Sequence, residues 1–341
     1  MPANLSYPGV YIEEVPSGVR SSTGVATSIT AFIGRALRGP VNDPVRVQSF
    51  AEYSRLFGGL WQPSTLSYAA MQFFQHGGSD AVIVRVFNGD IVASTATLEL
   101  ETATGSLLLE AASPGTWGSR LRATVDHATR DTSDLLLFNL LIEELDRPGG
   151  STSVASEEFR NVSVDPLSPR FVNTVLNEQS ALVSVRTAAP ADESPNNGAV
   201  AVANPDGTAS TAGSLGSDGA AIADGQITGN RDQRTGIFAL EDAELFNLLC
   251  IPPLTRDSDL IAATWAAAAS YCQERRALLV IDAPAAWTAN QSTAIATAGA
   301  GVSTLRAAVG NDDAINASVY FPRLRMADPL AENRLADFAP C

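Results

Sequence analysis

The chain has 341 residues and a formal net charge of −15, from 37 acidic and 22 basic side chains, and every basic side chain is an arginine. Without lysine there is no Walker A loop, no Schiff-base or PLP chemistry and no Ser–Lys dyad. So acidic a balance also excludes general binding to nucleic acid or to anionic membrane surfaces, both of which draw affinity from cationic side chains.

Residues 1–20 hold Pro2, Pro8 and Pro16, with Tyr7, Val10, Tyr11, Ile12 and Val15 between them. Proline fixes its own φ and pushes the preceding residue into extended geometry, so this segment reads as an extended arm. A frayed terminus and an arm that adds to a sheet edge of another subunit both fit it. It lacks the basic region and continuous apolar run of a secretory signal, which predicts synthesis and folding in the cytoplasm.

TSITAFIGRA (27–36) alternates and predicts a strand ending at Gly34. Ser49 is placed to cap a helix over FAEYSRLF, stopped by Gly58-Gly59, and Ser64 opens a second helix. In that helix Leu66, Ala69, Ala70, Phe73 and Phe74 form one apolar face, and His76 sits at the C-terminal end before Gly77-Gly78. AVIVRVF (81–87) predicts a buried strand.

Residues 89–187 break into short runs bounded by Gly, Pro, Asp and Ser, the pattern of a β-rich unit with one helix near 170–177. Residues 188–234 contain mostly Ala, Gly, Asn, Asp, Ser and Thr, and predict a low-complexity linker or surface loop. Beyond it come FNLLCIPP (246–253), a helix capped by Asp257, Ser258 or Asp259, the strand ALLVID (277–282), an Ala-rich helix between about 288 and 309, and the strand SVYFPRL (318–324). Strand–helix–strand–helix–strand implies right-handed crossovers and a largely parallel or mixed sheet. The expected fold is α/β (α+β overall). A discontinuous α/β core of residues 21–88 and 235–341 carries a β-rich insertion at 89–187, followed by the linker 188–234.

Candidate chemistry is sparse. Gly34-Arg35-Ala36-Leu37-Arg38-Gly39 follows a strand as a nucleotide-binding turn does, but it is not GxGxxG, and Gly39-Pro40 breaks the helix such a turn requires. LLVIDAP ends in Asp282 like a Walker B strand, although without a Walker A loop Asp282 reads as a residue at a strand end. Asp312, Asp313 and Asp328 could supply oxygen ligands, but they lack EF-hand spacing and read as solvated loop carboxylates. The pairs Glu13-Glu14, Glu143-Glu144 and Glu157-Glu158 put neighbours on opposite strand faces and form no acid–base dyad. His127 beside Asp126 would need a nucleophile that the sequence does not identify, and reads as structural. Cys250, Cys272 and Cys341 are odd in number and widely spaced; Cys250 and Cys272 read as core thiols, so structural disulfides are not expected. No catalytic, cofactor-binding or metal-binding residue is assigned. A nucleotide-dependent α/β enzyme using Gly34, Gly39 and Asp282, and a monomeric binding module using the β-rich insertion, are the competing readings.

YPGVYIEEVPSG (7–18), GVATSITAFIGRALRGPVNDPVRVQSFAEYSRLFGG (24–59) and YAAMQFFQHGGSDAVIVRV (68–86) together resemble the N-terminal region of contractile tail sheath proteins. PGTWGSRLRATV (114–125), EEFRNVSVD (157–165), FNLLCIPP (246–253), YCQERRALLVIDAP (271–284) and ASVYFPRLRMADPL (317–330) fit the same family in the same order. The resemblance implies a structural subunit, not an enzyme, of a myovirus tail, an R-type pyocin or an extracellular contractile injection system. It implies packing with other sheath subunits around an inner tube protein, with baseplate and tail terminator or cap proteins as further partners. It implies no cofactor, nucleic acid or membrane insertion, assembly in the bacterial cytoplasm, and contraction that drives the tube through a cell envelope. Tyr7, Pro8, Gly9, Val10, Tyr11, Ile12 and Glu13 would carry the inter-subunit arm. Sheath chains of this kind usually continue into a C-terminal domain, so the 341-residue chain is expected to lack that domain and to be monomeric.

Overall fold

The computed structural model describes residues 28–339 other than 291 and 311. The arm residues Tyr7 to Glu13, and Cys341, lie outside the described residues.

The first third of the fold runs β1 (Thr30–Gly34), β2 (Val45–Val47), α1 (Phe50–Phe57), α2 (Thr65–Gln75) and β3 (Ala81–Arg85). Both helices start where short polar side chains cap them. The Ser49 hydroxyl accepts from the Glu52 amide at 3.1 Å, and Ser64 from the Ser67 amide at 3.0 Å. Gly58, at φ 90°, ends α1 in the left-handed conformation that glycine adopts without penalty.

A lobe follows: α3 (Ile91–Ser94), β4 (Thr97–Glu101), β5 (Ser106–Ala111), β6 (Leu121–Asp126), β7 (Leu137–Leu145), β8 (Ser153–Ser163), α4 (Val172–Gln179), β9 (Val183–Thr187), β10 (Gly198–Ala201) and β11 (Gly213–Ser214). The chain then returns to the sheet through α5 (Asp224–Thr228), whose Ile227 joins the main core, and continues with β12 (Leu248–Cys250), α6 (Ala262–Arg275), β13 (Leu278–Asp282), α7 (Ala294–Val309), β14 (Ala317–Tyr320), β15 (Leu324–Asp328) and β16 (Arg334–Phe338).

The main sheet has the order β14-β13-β12-β1-β3-β2, parallel except for β2. The fold is therefore α/β, and strands from before and after the lobe share one sheet. Alternate residues of β1 serve opposite faces, as a period of two requires. Ala31 and Ile33 join Leu249, Leu279 and the α6 residues Trp265 and Tyr271 on one face. Phe32 joins Ile83, Tyr53, Phe57 and Leu66 on the other. With both faces covered, β1 and β3 are buried along their whole length.

The lobe is two antiparallel sheets, β10-β6-β7-β8 and β11-β4-β5-β9, around one core. Leu98, Leu100, Leu107 and Leu109 come from one sheet, and Ala123, Val125, Leu140 and Ile142 from the other, with Trp117 among them.

Three expectations need correction. Residues 188–234 are not a structureless linker: β10 pairs with β6, β11 pairs with β4, and Val202 and Ala203 are buried. These edge strands are held by main-chain bonds, which small residues make as well as large ones, so composition alone conceals them. Helix α6 starts at Ala262, not beside Asp257–Asp259. Its first turn is served by Asp224, whose Oδ1 accepts from the Ile261 amide at 3.0 Å and the Thr264 hydroxyl at 2.6 Å, from 37 and 40 residues away. The run 318–324 is not one strand. β14 stops at Tyr320, Pro322 lacks a donor, and Leu324 begins a separate hairpin, β15 with β16.

Candidate functional site: an arginine joint between sheet and lobe

The glycine turn after β1 follows its strand as a phosphate loop does, and the structure uses it for packing. A methyl group on Gly34 would lie 2.9 Å from Leu66 Cβ, so this glycine lets α2 press against β1. In open parallel sheets ligands bind beyond the carboxyl ends of strands where the winding reverses, here between β1 and β12. The start of α2 fills that place. The Ser64 hydroxyl donates to the Arg35 carbonyl, and the Thr65 hydroxyl donates to the Pro253 carbonyl at 2.5 Å.

The residues between Gly34 and Gly39 form a joint to the lobe. Arg85 closes β3 and is 1% exposed. Its Nε donates to the Ala36 carbonyl at 3.1 Å, Nη1 to Gly39 at 2.6 Å and Nη2 to Pro114 of the lobe at 2.8 Å. Three carbonyl oxygens thus satisfy a guanidinium that could not otherwise be buried. Burial pulls its pKa down to about 10, against the opposing pull of Asp218, and Arg85 stays cationic at neutral pH. The Gly39 amide donates to Ser113 Oγ at 3.0 Å, making a second link between the same loops.

Around this centre sit two more arginines of the turn. Arg38 Nη1 is 2.7 Å from Glu144 Oε2, and Arg120 Nη2 is 2.5 Å from Glu144 Oε1, so one lobe carboxylate holds one arginine from each side. Arg38 also lies over the Trp117 ring, 5.6 Å from its centroid. Arg35 donates to the Asp218 carbonyl at 3.0 Å and stacks over Trp61 at 4.7 Å. The Asp218 carboxylate accepts from the Thr116 amide at 2.8 Å and hydroxyl at 3.0 Å. Burial lowers the Arg35 pKa, against the pull of Asp218.

The two chain crossings between sheet and lobe are also bonded to each other. The Asn88 carbonyl accepts from the Ala220 amide at 2.8 Å, and Asn88 Nδ2 donates to the Ala221 carbonyl at 2.6 Å. Gly219, at φ +68°, makes room for this: a Cβ there would sit 2.4 Å from the Asn88 carbonyl oxygen. The lobe is therefore fixed by two adjacent covalent crossings and by a buried arginine network beside them.

A second arginine hub pins the β15–β16 hairpin. Arg256 Nη1 is 2.7 Å from Asp328 Oδ2, and the Tyr68 hydroxyl donates to Asp328 Oδ1 at 3.0 Å. Arg256 lies over the rings of Tyr68 at 4.5 Å and Phe338 at 4.7 Å. Asp328 is 1% exposed, so its reading as a solvated loop carboxylate is wrong. Burial by itself would raise its pKa, but the Arg256 guanidinium, the Leu330 amide and the Tyr68 hydroxyl outweigh that and hold it below the usual carboxylate range.

The other candidates are not assembled into a site. Among the described residues no group of His, Cys, Asp and Glu is arranged to hold a metal ion. His127 Nε2 lies 3.1 Å from Ser194 Oγ, but that hydroxyl donates to the Leu135 carbonyl at 2.8 Å, which leaves His127 as the donor and the serine unactivated. Asp126 accepts instead from Asn139 Nδ2 at 2.8 Å. Glu143 pairs with Arg122 at 2.8 Å while Glu144 serves Arg38 and Arg120. Glu157 accepts from Ser180 and the Ala181 amide, and Glu158 pairs with Arg160. Cys250 and Cys272 are buried free thiols, and burial pushes Cys272 up to about 12. No helix among the described residues is long and apolar enough to cross a membrane.

The sequence-based reading missed Arg85, Ser113, Glu144 and Asp218 as a set. One signal was present: an arginine in the otherwise apolar run AVIVRVF has to find buried acceptors.

No family model matches the chain, and no curated protein matches it. Among solved structures, a sheath tail protein from Listeria innocua is similar with a TM-score of 0.46 and 14% identity, covering 78% of this chain and 50% of that one. A sheath tail protein from Desulfitobacterium hafniense is similar with a TM-score of 0.44 and 13% identity, covering 96% of this chain and 59% of that one. The chain thus spans between half and three-fifths of the length of these two sheath tail proteins.

Proposed function

We propose that this chain is a structural subunit of a contractile tail sheath, and that its work is mechanical. One observation carries the reading. The segments whose order resembles sheath proteins, GRALRGP (34–40), the strand ending in Arg85, and PGTWGSR (114–120), meet at the joint. There Arg85 spans Gly39 and Pro114, and Glu144 gathers Arg38 and Arg120. The shared residues thus build a rigid connection between sheet and lobe, which suits a subunit that transmits force.

In this reading the sheet core packs with other copies around an inner tube, with baseplate and terminator proteins at the ends. The lobe, a surface insertion, faces outward. The division into an arm at 1–20, an α/β core at 21–88 and 235–341, and an outer lobe between them belongs to the same proposal. The segment from Tyr7 to Glu13 links neighbouring copies by main-chain pairing. Shortening of the lattice needs no nucleotide, because the energy lies in interfaces that improve on contraction.

Negative-stain microscopy of the chain co-expressed with inner tube and baseplate proteins of a contractile tail tests the proposal. Striated tubes wider than the bare inner tube are expected. Deleting residues 1–18 should abolish them while the circular dichroism spectrum of the subunit is unchanged. Bare tubes with the intact chain left in solution would overturn the sheath reading, and ordered tubes from the deleted form would overturn the role of the arm.

A further inference from the structure

We propose that the groove beside α2 on the main sheet seats the chain's own N-terminal segment, residues 7–12. The groove is a cavity of about 290 Å³. Its floor is Phe32, Cys250 and Val280, which the register of β1, β12 and β13 sets side by side. Phe73 of α2 and Leu324 of β15 wall it.

The sheet leaves this face unfinished. Leu249, Leu279 and Ile281 point to the other face, into the core shared with α6. On the α2 side Leu248 and Val280 stay half-buried and Leu324 is 43% exposed, although parallel strands are ordinarily covered on both faces. A second observation points to an occupant. Thr30 lines the same groove at 2% exposure, and its hydroxyl has no hydrogen-bond partner among the described residues. A buried hydroxyl left unpaired is costly, so it calls for a group that binds it. Gln72, 9% exposed, adds an amide with both a donor and an acceptor to the lining. A hydroxyl and an amide suit a peptide main chain, which carries one donor and one acceptor per residue.

The occupant follows from where the chain enters. The described residues begin at Ser28, two positions before Thr30 in the groove. Residues 13–27 are rich in Gly, Ser and Thr, and as a flexible tether they cover roughly 20 Å. Such a tether holds residues 7–12 beside the groove at an effective concentration of about 1 mM, which a second copy in dilute solution does not reach. Pro8, Val10 and Ile12 alternate, so an extended segment turns all three the same way, toward an apolar floor. No Asp, Glu or Arg side chain lines the groove, so neutral apolar groups match it and a charged ligand does not. Exchange of this segment between copies belongs to the sheath reading; the seat in a single chain does not rest on it.

Fluorescence anisotropy of a labelled peptide of residues 5–15 tests the seat, because a filled groove excludes the peptide. The full chain carrying Val10→Asp and Ile12→Asp should release its own segment and bind the peptide saturably, with a Kd of roughly 0.1 mM, and the unaltered chain should bind it about tenfold more weakly. Adding Val280→Phe, which fills the floor, or Leu324→Glu, which puts a charge on the wall, should weaken the peptide by about tenfold or more. Light scattering should find the unaltered chain monomeric. No saturable binding up to about 1 mM, equal binding by the unaltered and released chains, or unchanged binding by the folded Leu324→Glu variant would overturn the proposal, and the last criterion holds even if Val280→Phe fails to fold. A dimer that Val10→Asp and Ile12→Asp dissolve would also overturn it, by assigning the groove to the segment of a second copy.

Discussion

Arg38 and Glu144 are 106 residues apart in sequence and 2.7 Å apart in the structure. Arg38 belongs to the turn after the first strand of the sheet, and Glu144 to an inner strand of the lobe, where Arg120 takes its other oxygen. The carboxylate side chain is 6% exposed and the Arg38 side chain 17%, so the pair is mostly withdrawn from solvent screening. The joint therefore differs from the exposed ion pairs elsewhere on the molecule, such as Arg160 with Glu158, whose contribution to stability is near zero.

Unequal costs follow for the two ends of this pair. Glu144→Ala leaves Arg38 and Arg120 without their shared carboxylate and is expected to destabilise the protein by about 2 kcal/mol, whereas Arg38→Ala leaves Arg120 still paired and costs roughly 1 kcal/mol. Urea unfolding of both single variants and the double variant measures this. Equal costs for the two single changes, or a double variant whose cost is the plain sum, would show that the network is not coupled as drawn.

Arg85 is the stronger test of the joint, because among the described residues no other group donates to its three acceptors. Arg85→Lys keeps the charge but cannot span the carbonyls of Ala36, Gly39 and Pro114 at once. A loss of about 3 kcal/mol is expected. Hydrogen exchange at the Gly39 amide, which is bound to Ser113, should accelerate in parallel. A stable Arg85→Lys variant with unchanged exchange at Gly39 would mean that the bonds of Arg85 do not hold the joint together.

Much of the sheet is readable from local pattern. β1, β3 and the two capped helices lie where alternation, a 3.6-residue period and serine caps put them, because burial on both faces and capping are local constraints. The lobe's edge strands and the start of α6 are not readable. β10 depends on main-chain pairing with β6, and α6 is served by an Asp224 that lies 37 residues before Ile261. The joint fails to show for the same reason: Ser113, Glu144 and Asp218 are ordinary polar residues in sequence and gain meaning only beside Arg38, Arg85 and Thr116. The turn 34–39 stands out in sequence by its glycines, and its arginines make the contacts across the joint.

Gly34 separates packing from phosphate binding at that turn. In the packing role, Gly34→Ala forces the added methyl against Leu66 Cβ at 2.9 Å and should cost roughly 1–3 kcal/mol. Shortening the opposing side chain in the double variant Gly34→Ala, Leu66→Ala should recover part of the loss relative to the sum of the two single changes. Thermal unfolding measures both. A neutral Gly34→Ala would remove the argument that α2 is seated by this glycine.

The β15–β16 hairpin should come away from the body in acid. Asp328 is held below its ordinary value of 3.8, so its ionised form is favoured in the folded state. A carboxylate depressed in this way contributes fully above the unfolded value and loses its contribution as pH falls through the lower folded value. Tyr68, pushed up to about 12 by burial and next by its bond to Asp328, stays neutral throughout that range and keeps its proton for the carboxylate. Below pH 3.8 the Arg256 contact weakens first, and with it the stacking of Arg256 on Phe338. Amides of residues 334–338 are therefore expected to lose exchange protection at low pH before those of β1 and β3 do. Asp328→Asn should reproduce that loss at neutral pH, at a cost of about 2 kcal/mol, and should flatten the acid response of the hairpin. An Asn variant whose hairpin still detaches in the same acid window would place the responsible proton on another group.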